Sequence, residues 1–168
     1  AQTEQGANIS DQWTGSELPL AFASDSNPSD PVSNVNDKLI SFNDRPANRW
    51  TNWNRSNPEA SVGVLFGDSG ILSKRSVDNL SVGFHEDHGV GVPKSYVIEY
   101  YVGKTVPTAP KNPSFVGEEN HAFNDPANWK EVSNLKAPAQ LKAGEMNHFS
   151  FDKVETYAVR IRMVKADN

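Results

Sequence analysis

Trp50 and Trp53 stand three apart in the densest polar and aromatic stretch of the chain, Arg49-Trp50-Thr51-Asn52-Trp53-Asn54-Arg55-Ser56-Asn57-Pro58. In an extended segment that spacing turns them to opposite faces. Trp50 is expected in the core, and Trp53 is left to present a flat ring. A sugar has C–H bonds on one face and hydroxyls at its rim. An aromatic plate flanked by the planar hydrogen-bonding groups of Asn52, Asn54 and Arg55 suits such a ligand. A second cluster, Phe84-His85-Glu86-Asp87-His88-Gly89, follows a strand, and at its tip His85 and Asp87 can bond hydroxyls. Its histidines are three apart and not on a helix, so the four-residue spacing of a metalloprotease helix is missing and no catalytic zinc is expected. The loop His121-Ala122-Phe123-Asn124-Asp125-Pro126 repeats the chemistry with an aromatic beside His and Asn. Its alternative reading has Phe123 anchoring the loop, while Asn124 or Asp125 turns the chain before Pro126.

Val35-Asn36-Asp37-Lys38, with Asn43, Asp44 and Asn48 downstream, supplies hard oxygen donors of the kind calcium takes. The spacing is not that of an EF-hand loop. Enzyme signatures are missing: there is no Gly-x-Ser-x-Gly elbow, no phosphate-cradling glycine loop and no dinucleotide fingerprint. Glu118 and Glu119, like Glu86 and Asp87, are adjacent and point apart when extended, which does not suit two carboxylates flanking one glycosidic bond. No hydrolase site is expected. With no cysteine, disulfides, thiolate zinc sites and cysteine nucleophiles are excluded.

Short strands must position these groups. The clearest is Tyr157-Ala158-Val159-Arg160-Ile161-Arg162-Met163, whose alternation puts both arginines on one face. Val62, Val64 and Phe66 alternate in the same way, as do Leu80, Val82 and Phe84, then Tyr96, Ile98, Tyr100 and Val102, and finally Phe149 and Phe151. Trp129 is expected in the core. No window sustains a helical period, and prolines at 107, 110, 113, 126 and 138 break any long helix. The expected class is all-β, a sandwich or jelly roll rather than a closed barrel. Two long connections, residues 23–49 and 103–128, stand out, and connections of this length tend to be functional. At 168 residues one domain is expected, with a loose N-terminal segment over residues 1–12 and a single module over 13–168. The chain begins AQTEQGANIS, without Met or a signal peptide, and is read as part of something longer. A net charge of −5 with no basic cluster disfavours nucleic-acid partners. No stretch approaches the roughly 20 apolar residues of a spanning helix.

In order, the motifs VNDK, RWTNW, SVGVLFG, NLSVGFHEDHG, VPKSYVIEYYVG, NWKEV and YAVRIRM resemble a galactose-binding-like domain of the discoidin or coagulation-factor type C group. The resemblance spans about residues 32–164. The chain is similar in particular to the carbohydrate-binding modules that stand in tandem downstream of the catalytic part of large, cell-wall-anchored β-galactosidases of Gram-positive bacteria. This implies a β-sandwich jelly roll, galactose-binding-domain-like, without catalysis of its own. It would recognise terminal β-galactose in lactose or N-acetyllactosamine and hold a β-galactosidase, or the cell, on host glycans. The setting implied is extracellular, with a monomeric module repeated in tandem in its parent protein. The resemblance also implies a structural calcium in the loop before Arg49-Trp50. Asp37, the Val35 carbonyl and Asn48 carry over, with Lys38 standing where the family has Gly and Asn48 where it has Thr. The family's last strand, after Arg160-Ile161-Arg162, has no counterpart. Sugar-binding loops vary across such scaffolds, so the site residues follow from chemistry: Asn52, Trp53, Arg55, His85, Asp87, His121, Phe123 and Asn124. An axial O4 distinguishes galactose from its equatorial epimer, which would leave a charged or amide partner unpaired. Asp87, Asn52, Arg55 or His121 could read it, with Trp53 or Phe123 supplying the face. Two other readings stand beside this one. A protein- or membrane-docking discoidin-like domain would need aliphatic spikes ringed by Lys and Arg. A structural spacer would have both Trp53 and Phe123 buried.

Overall fold

Residues 18–35, 49–52, 55–68, 71–86 and 91–165 are described by the computed structural model. Their β-branched and aromatic alternation folds into nine strands: β1 (Leu20–Ala23), β2 (Glu59–Leu65), β3 (Gly67–Asp68), β4 (Ile71–Leu72), β5 (Arg75–Gly83), β6 (Ser95–Tyr101), β7 (Trp129–Glu131), β8 (Met146–Thr156) and β9 (Ala158–Val164). Helix among the described residues is confined to 3-10 turns at Val32–Val35, Pro113–Glu118, Ala122–Asn124 and Pro126–Asn128. None is long and apolar enough to cross a membrane. The fold is the expected all-β sandwich of the galactose-binding-like kind.

Five strands form one antiparallel sheet in the order β1-β2-β9-β6-β7, and β5 pairs with β8 to form the facing layer. Between them lies the main core of Phe66, Val77, Phe84, Ile98, Val132, Phe149, Phe151, Val159 and Ile161, with Val62, Val64, Tyr96 and Tyr100 packed against it. The alternation therefore places the inward face as read from sequence. Val102 departs from that reading: β6 ends at Tyr101, one residue short of it, and Val102 is 42% exposed.

The opposite face of the five-stranded sheet is covered too, which alternation alone does not reveal. The register lines up Phe22, Gly63, Arg160 and Glu99 across β1, β2, β9 and β6. Over this row folds the long connection of residues 102–128, building a second core from Phe22, Leu65, Tyr101, Val116, Phe123 and Trp129. Gly63 makes room for it: a Cβ there would stand 2.6 Å from Phe22 Cζ and 2.8 Å from Arg160 Cβ. Arg160 and Arg162 share one face, as expected, but Arg160 is drawn into the protein. Its Nη2 lies 3.0 Å from Glu99 Oε1, and its guanidinium sits 4.1 Å over the Trp129 ring. Burial is the largest influence on Arg160 and lowers its pKa, with Glu99 opposing.

Candidate functional site

The ends of β1 at Ala23, β2 at Glu59, β9 at Val164 and β6 at Ser95 meet at one edge of the sandwich, because β2 pairs antiparallel with β1 and β9 and β6 pairs antiparallel with β9. The other layer is oriented by Thr156, whose Oγ1 lies 2.9 Å from the Tyr101 carbonyl at the far edge. Gly83, at the opposite end of β5, is therefore on the same side as Ser95. The two ends of the β1–β2 connection and the start of the connection after β5 thus share one rim of the sandwich.

Two long connections, β1–β2 and β6–β7, are laced together there. Trp50 Nε1 donates to Ser26 Oγ at 2.8 Å, and Ser26 Oγ donates to the Ser114 carbonyl at 2.7 Å. The Val32 N–H donates to Ser114 Oγ at 3.2 Å, and Thr51 Oγ1 donates to Asp30 Oδ2 at 2.6 Å. The Gly117 N–H reaches the Ser24 carbonyl at 2.9 Å. Only a residue without a side chain allows that approach, since a Cβ at Gly117 would stand 2.8 Å from the same oxygen. Trp50, expected in the core, is half-buried and serves as a hydrogen-bonding strut.

Arg55 sits where these loops meet. Its Nε donates to Asp25 Oδ1 at 2.8 Å and its Nη2 approaches Glu118 Oε1 at 3.4 Å. The guanidinium carbon lies 5.4 Å from the Phe115 ring centroid. Main-chain contacts fix the arginine from below: its N–H donates to the Asn52 carbonyl at 3.2 Å and its carbonyl accepts from Lys165 Nζ at 2.6 Å. The hydrogen bond to Asp25 is the largest influence on the Arg55 pKa and raises it, Glu118 adding to the effect while desolvation opposes. A permanent cation between two carboxylates, beside a half-buried aromatic ring, can donate to and orient acceptors on vicinal hydroxyls. Asn52, half-buried, stands next to it.

The expected residues of the 121–124 loop play a different part. Phe123 is 2% exposed and stacks on Phe22 with centroids 4.4 Å apart; with Trp129 and Tyr101 also against it, its ring has no open face and is not a sugar platform. His121 Nδ1 accepts from the Phe123 N–H at 3.0 Å, and its Nε2 donates to the Thr108 carbonyl at 2.7 Å. Both ring nitrogens are therefore committed to the main chain and do not serve as ligand contacts. The Asn124 amide donates to the Val116 and Glu119 carbonyls at 2.9 and 2.7 Å, holding Pro113–Glu118 in place. Asp125 Oδ1 accepts from the Ala127 N–H at 2.9 Å, the local turn that the alternative reading expects. These side chains position the loop that carries Phe115 and Glu118.

His85 is half-buried on the connection after β5, where Phe84 bridges to Ala143 and its carbonyl accepts from the Gly144 N–H at 2.8 Å. Trp53 and Asp87 lie outside the described residues, as do the expected calcium ligands Asp37 and Asn48. Val35 ends the Val32–Val35 turn and is exposed. Beside it Asn34 Nδ2 donates to the Arg49 carbonyl at 3.0 Å. Sequence reasoning passes over Asp25 and Phe115, and weighs Glu118 only as a carboxylate beside Glu119. The signal that could have found Phe115 was an aromatic between Pro113 and Gly117 in the second long connection.

A family model described as the β-galactosidase-like, galactose-binding domain matches residues 21–168. A solved structure of the Streptococcus pneumoniae β-galactosidase BgaA, described as architecturally intricate and of multiple functions, is 93% identical to this chain. It superimposes with a TM-score of 0.96 over 97% of this chain and 92% of that one. No curated protein matches.

Proposed function

The chain belongs to the family of β-galactosidase-like galactose-binding domains, and from that premise we propose that it is a non-catalytic module that recognises terminal β-galactose, as in lactose and N-acetyllactosamine. The observation that carries the reading is the Arg55 cluster: a cation held by Asp25 and Glu118, with Phe115 beside it, at the rim where two long connections meet. A rigid donor aimed at the axial O4 discriminates, because the equatorial epimer leaves it unpaired. The Phe115 ring offers the apolar face that a pyranose needs. Trp53, Asn52, His85 and Asp87 complete the proposed contact set. The module comprises residues 13–168, is a monomer on its own and works in tandem within a surface-associated β-galactosidase. Its output is retention of that enzyme, or of the cell, on host glycans, where linked copies raise avidity.

Isothermal titration of the domain with lactose, N-acetyllactosamine and cellobiose tests this reading. Saturable heat with the two galactosides alone is the expected result; silence with all three would transfer the function to docking or spacing. Arg55→Ala and Phe115→Ala are each expected to weaken lactose binding at least about tenfold while preserving the far-UV circular dichroism of the fold. Unchanged affinity in both variants would remove this cluster from the sugar site.

Calcium belongs to the same proposal, as a structural ion on the Val35 carbonyl, Asp37 and Asn48. The hydrogen bond from Asn34 to Arg49 brings the neighbours of Val35 and Asn48 together, which supports their sharing one ion. An ion bound only by the native state stabilises it by mass action. Chelation is therefore expected to lower the melting temperature without changing the lactose affinity measured well below it, and an identical melting curve in chelator would count against the ion.

A further inference from the structure

We propose that the outer face of the β5–β8 pair carries a second saccharide site, selective for a sugar bearing a carboxylate or a sulfate. A groove of about 370 Å³ is lined by Lys136, Gln140, Lys142, Asn147, His148 and Ser150, among others. None of its lining residues belongs to the Arg55 cluster. The saccharide character of the ligand rests on the family to which the chain belongs, not on the Arg55 reading.

Both walls are built by specific bonds. On one side the Lys136 N–H donates to the Ser150 carbonyl at 2.7 Å, and the Ser150 N–H donates back to the Lys136 carbonyl at 2.9 Å. Lys136 is thereby locked to β8 although it lies outside any strand. On the other side Asn147, 3% exposed, acts as an internal clamp. Its Oδ1 accepts from the Lys142 N–H at 2.9 Å, and its Nδ2 donates to the Lys142 carbonyl at 2.8 Å. On the floor, His148 Nδ1 lies 2.7 Å from Ser81 Oγ, which fixes the plane of the imidazole. Preorganisation of this kind lowers the entropic cost of binding.

The chemistry of the lining selects the ligand. The chain as a whole carries −5, yet this groove gathers two lysines against one acidic residue, Glu145. Glu145 Oε1 is 3.8 Å from Lys142 Nζ, with both side chains more than half exposed, so this contact neutralises the lysine weakly. Among the described residues no Phe, Tyr or Trp lines the groove, so a neutral pyranose would find no phenyl or indole plate to stack on. A negative substituent would find ammonium groups for charge-assisted hydrogen bonds, with Gln140 and Ser150 available to neighbouring hydroxyls.

The test is amide chemical-shift mapping of the domain with lactose, 3′-sialyllactose, lactose 3′-sulfate and inorganic sulfate. The expected result is perturbation of Lys136, Lys142 and His148 by one or both anionic sugars, and not by lactose. The two anionic arms tell carboxylate from sulfate. The response should survive Arg55→Ala, weaken about fivefold to tenfold in the Lys136→Ala, Lys142→Ala double variant, and fade as salt screens the exposed charges. Absence of any lactose-induced shift around Arg55 with the groove response intact would refute the first site alone. Perturbation confined to the Arg55 loops, an undiminished response in the double variant, or equal shifts with inorganic sulfate would overturn the second site.

Discussion

Phe123→Ala is expected to cost about 3–5 kcal/mol of folding stability. The ring is 2% exposed and lies in contact with Phe22, Tyr101, Trp129 and His121. Truncation removes most of those contacts and leaves a cavity against the five-stranded sheet. Neighbours cannot close it cheaply. The Trp129 indole is tethered to the Phe123 carbonyl by a 2.9 Å hydrogen bond, and Phe22 is confined beside Gly63. For a domain of this size each kcal/mol moves the midpoint by about 2–4 °C, so the variant should melt roughly 6–20 °C below the parent. Chemical denaturation should report the same loss, with Phe123→Leu falling between the two. An unchanged midpoint accompanied by abolished lactose binding would instead make the ring a sugar platform.

The second large effect is expected at Glu99. This carboxylate is 9% exposed, and its Oε1 accepts from Arg160 Nε and Arg162 Nε, each at 3.1 Å, with Arg160 Nη2 at 3.0 Å. The Arg160 side chain is itself only 11% exposed, trapped between β6 and the Trp129 ring. Glu99→Ala would leave that guanidinium buried without its counter-charge, a change that typically costs about 3–5 kcal/mol. Replacing both partners removes the stranded charge. The Glu99→Ala, Arg160→Met double variant should therefore lose clearly less than the sum of its single changes, and denaturation of the four proteins in a double-mutant cycle measures this. Additivity within about 0.5 kcal/mol would mean that the two groups are not coupled. Arg162 is the minor partner. Its side chain is 38% exposed, and Glu59 at 3.1 Å shares it, so Arg162→Ala should cost much less.

The two variants mark where sequence reading succeeded and where it stopped. Tyr96, Ile98 and Tyr100, or Val159 and Ile161, announce their inward face by alternation, because a strand's pleat is a local property. Phe123 gives no such signal. Beside His121 and Asn124 it reads equally as a sugar platform with hydrogen-bonding neighbours or as the anchor of its loop. Its burial depends on a loop folding back over a sheet whose strands are distant in sequence. Likewise, the shared face of Arg160 and Arg162 was legible, but Glu99, some sixty residues away, could be paired with them only by the β6–β9 register. The hydrogen-bonding chemistry of Arg55 and Asn52 is legible in their residue types, whereas Asp25, Phe115 and Glu118 join Arg55 only because Gly117 and Ser24 bring two long connections together.

By itself the sequence determined the all-β class, the inward faces of the main strands and the order of motifs that marks a galactose-binding-like domain. Each of these is written in short-range periodicity or in contiguous residues. The tertiary structure alone decided which face of the large sheet is roofed, that Phe123, His121 and Asn124 hold a loop in place, and that Arg55 meets its carboxylates at the rim. Those outcomes depend on contacts between residues far apart in the chain, and no local pattern encodes them.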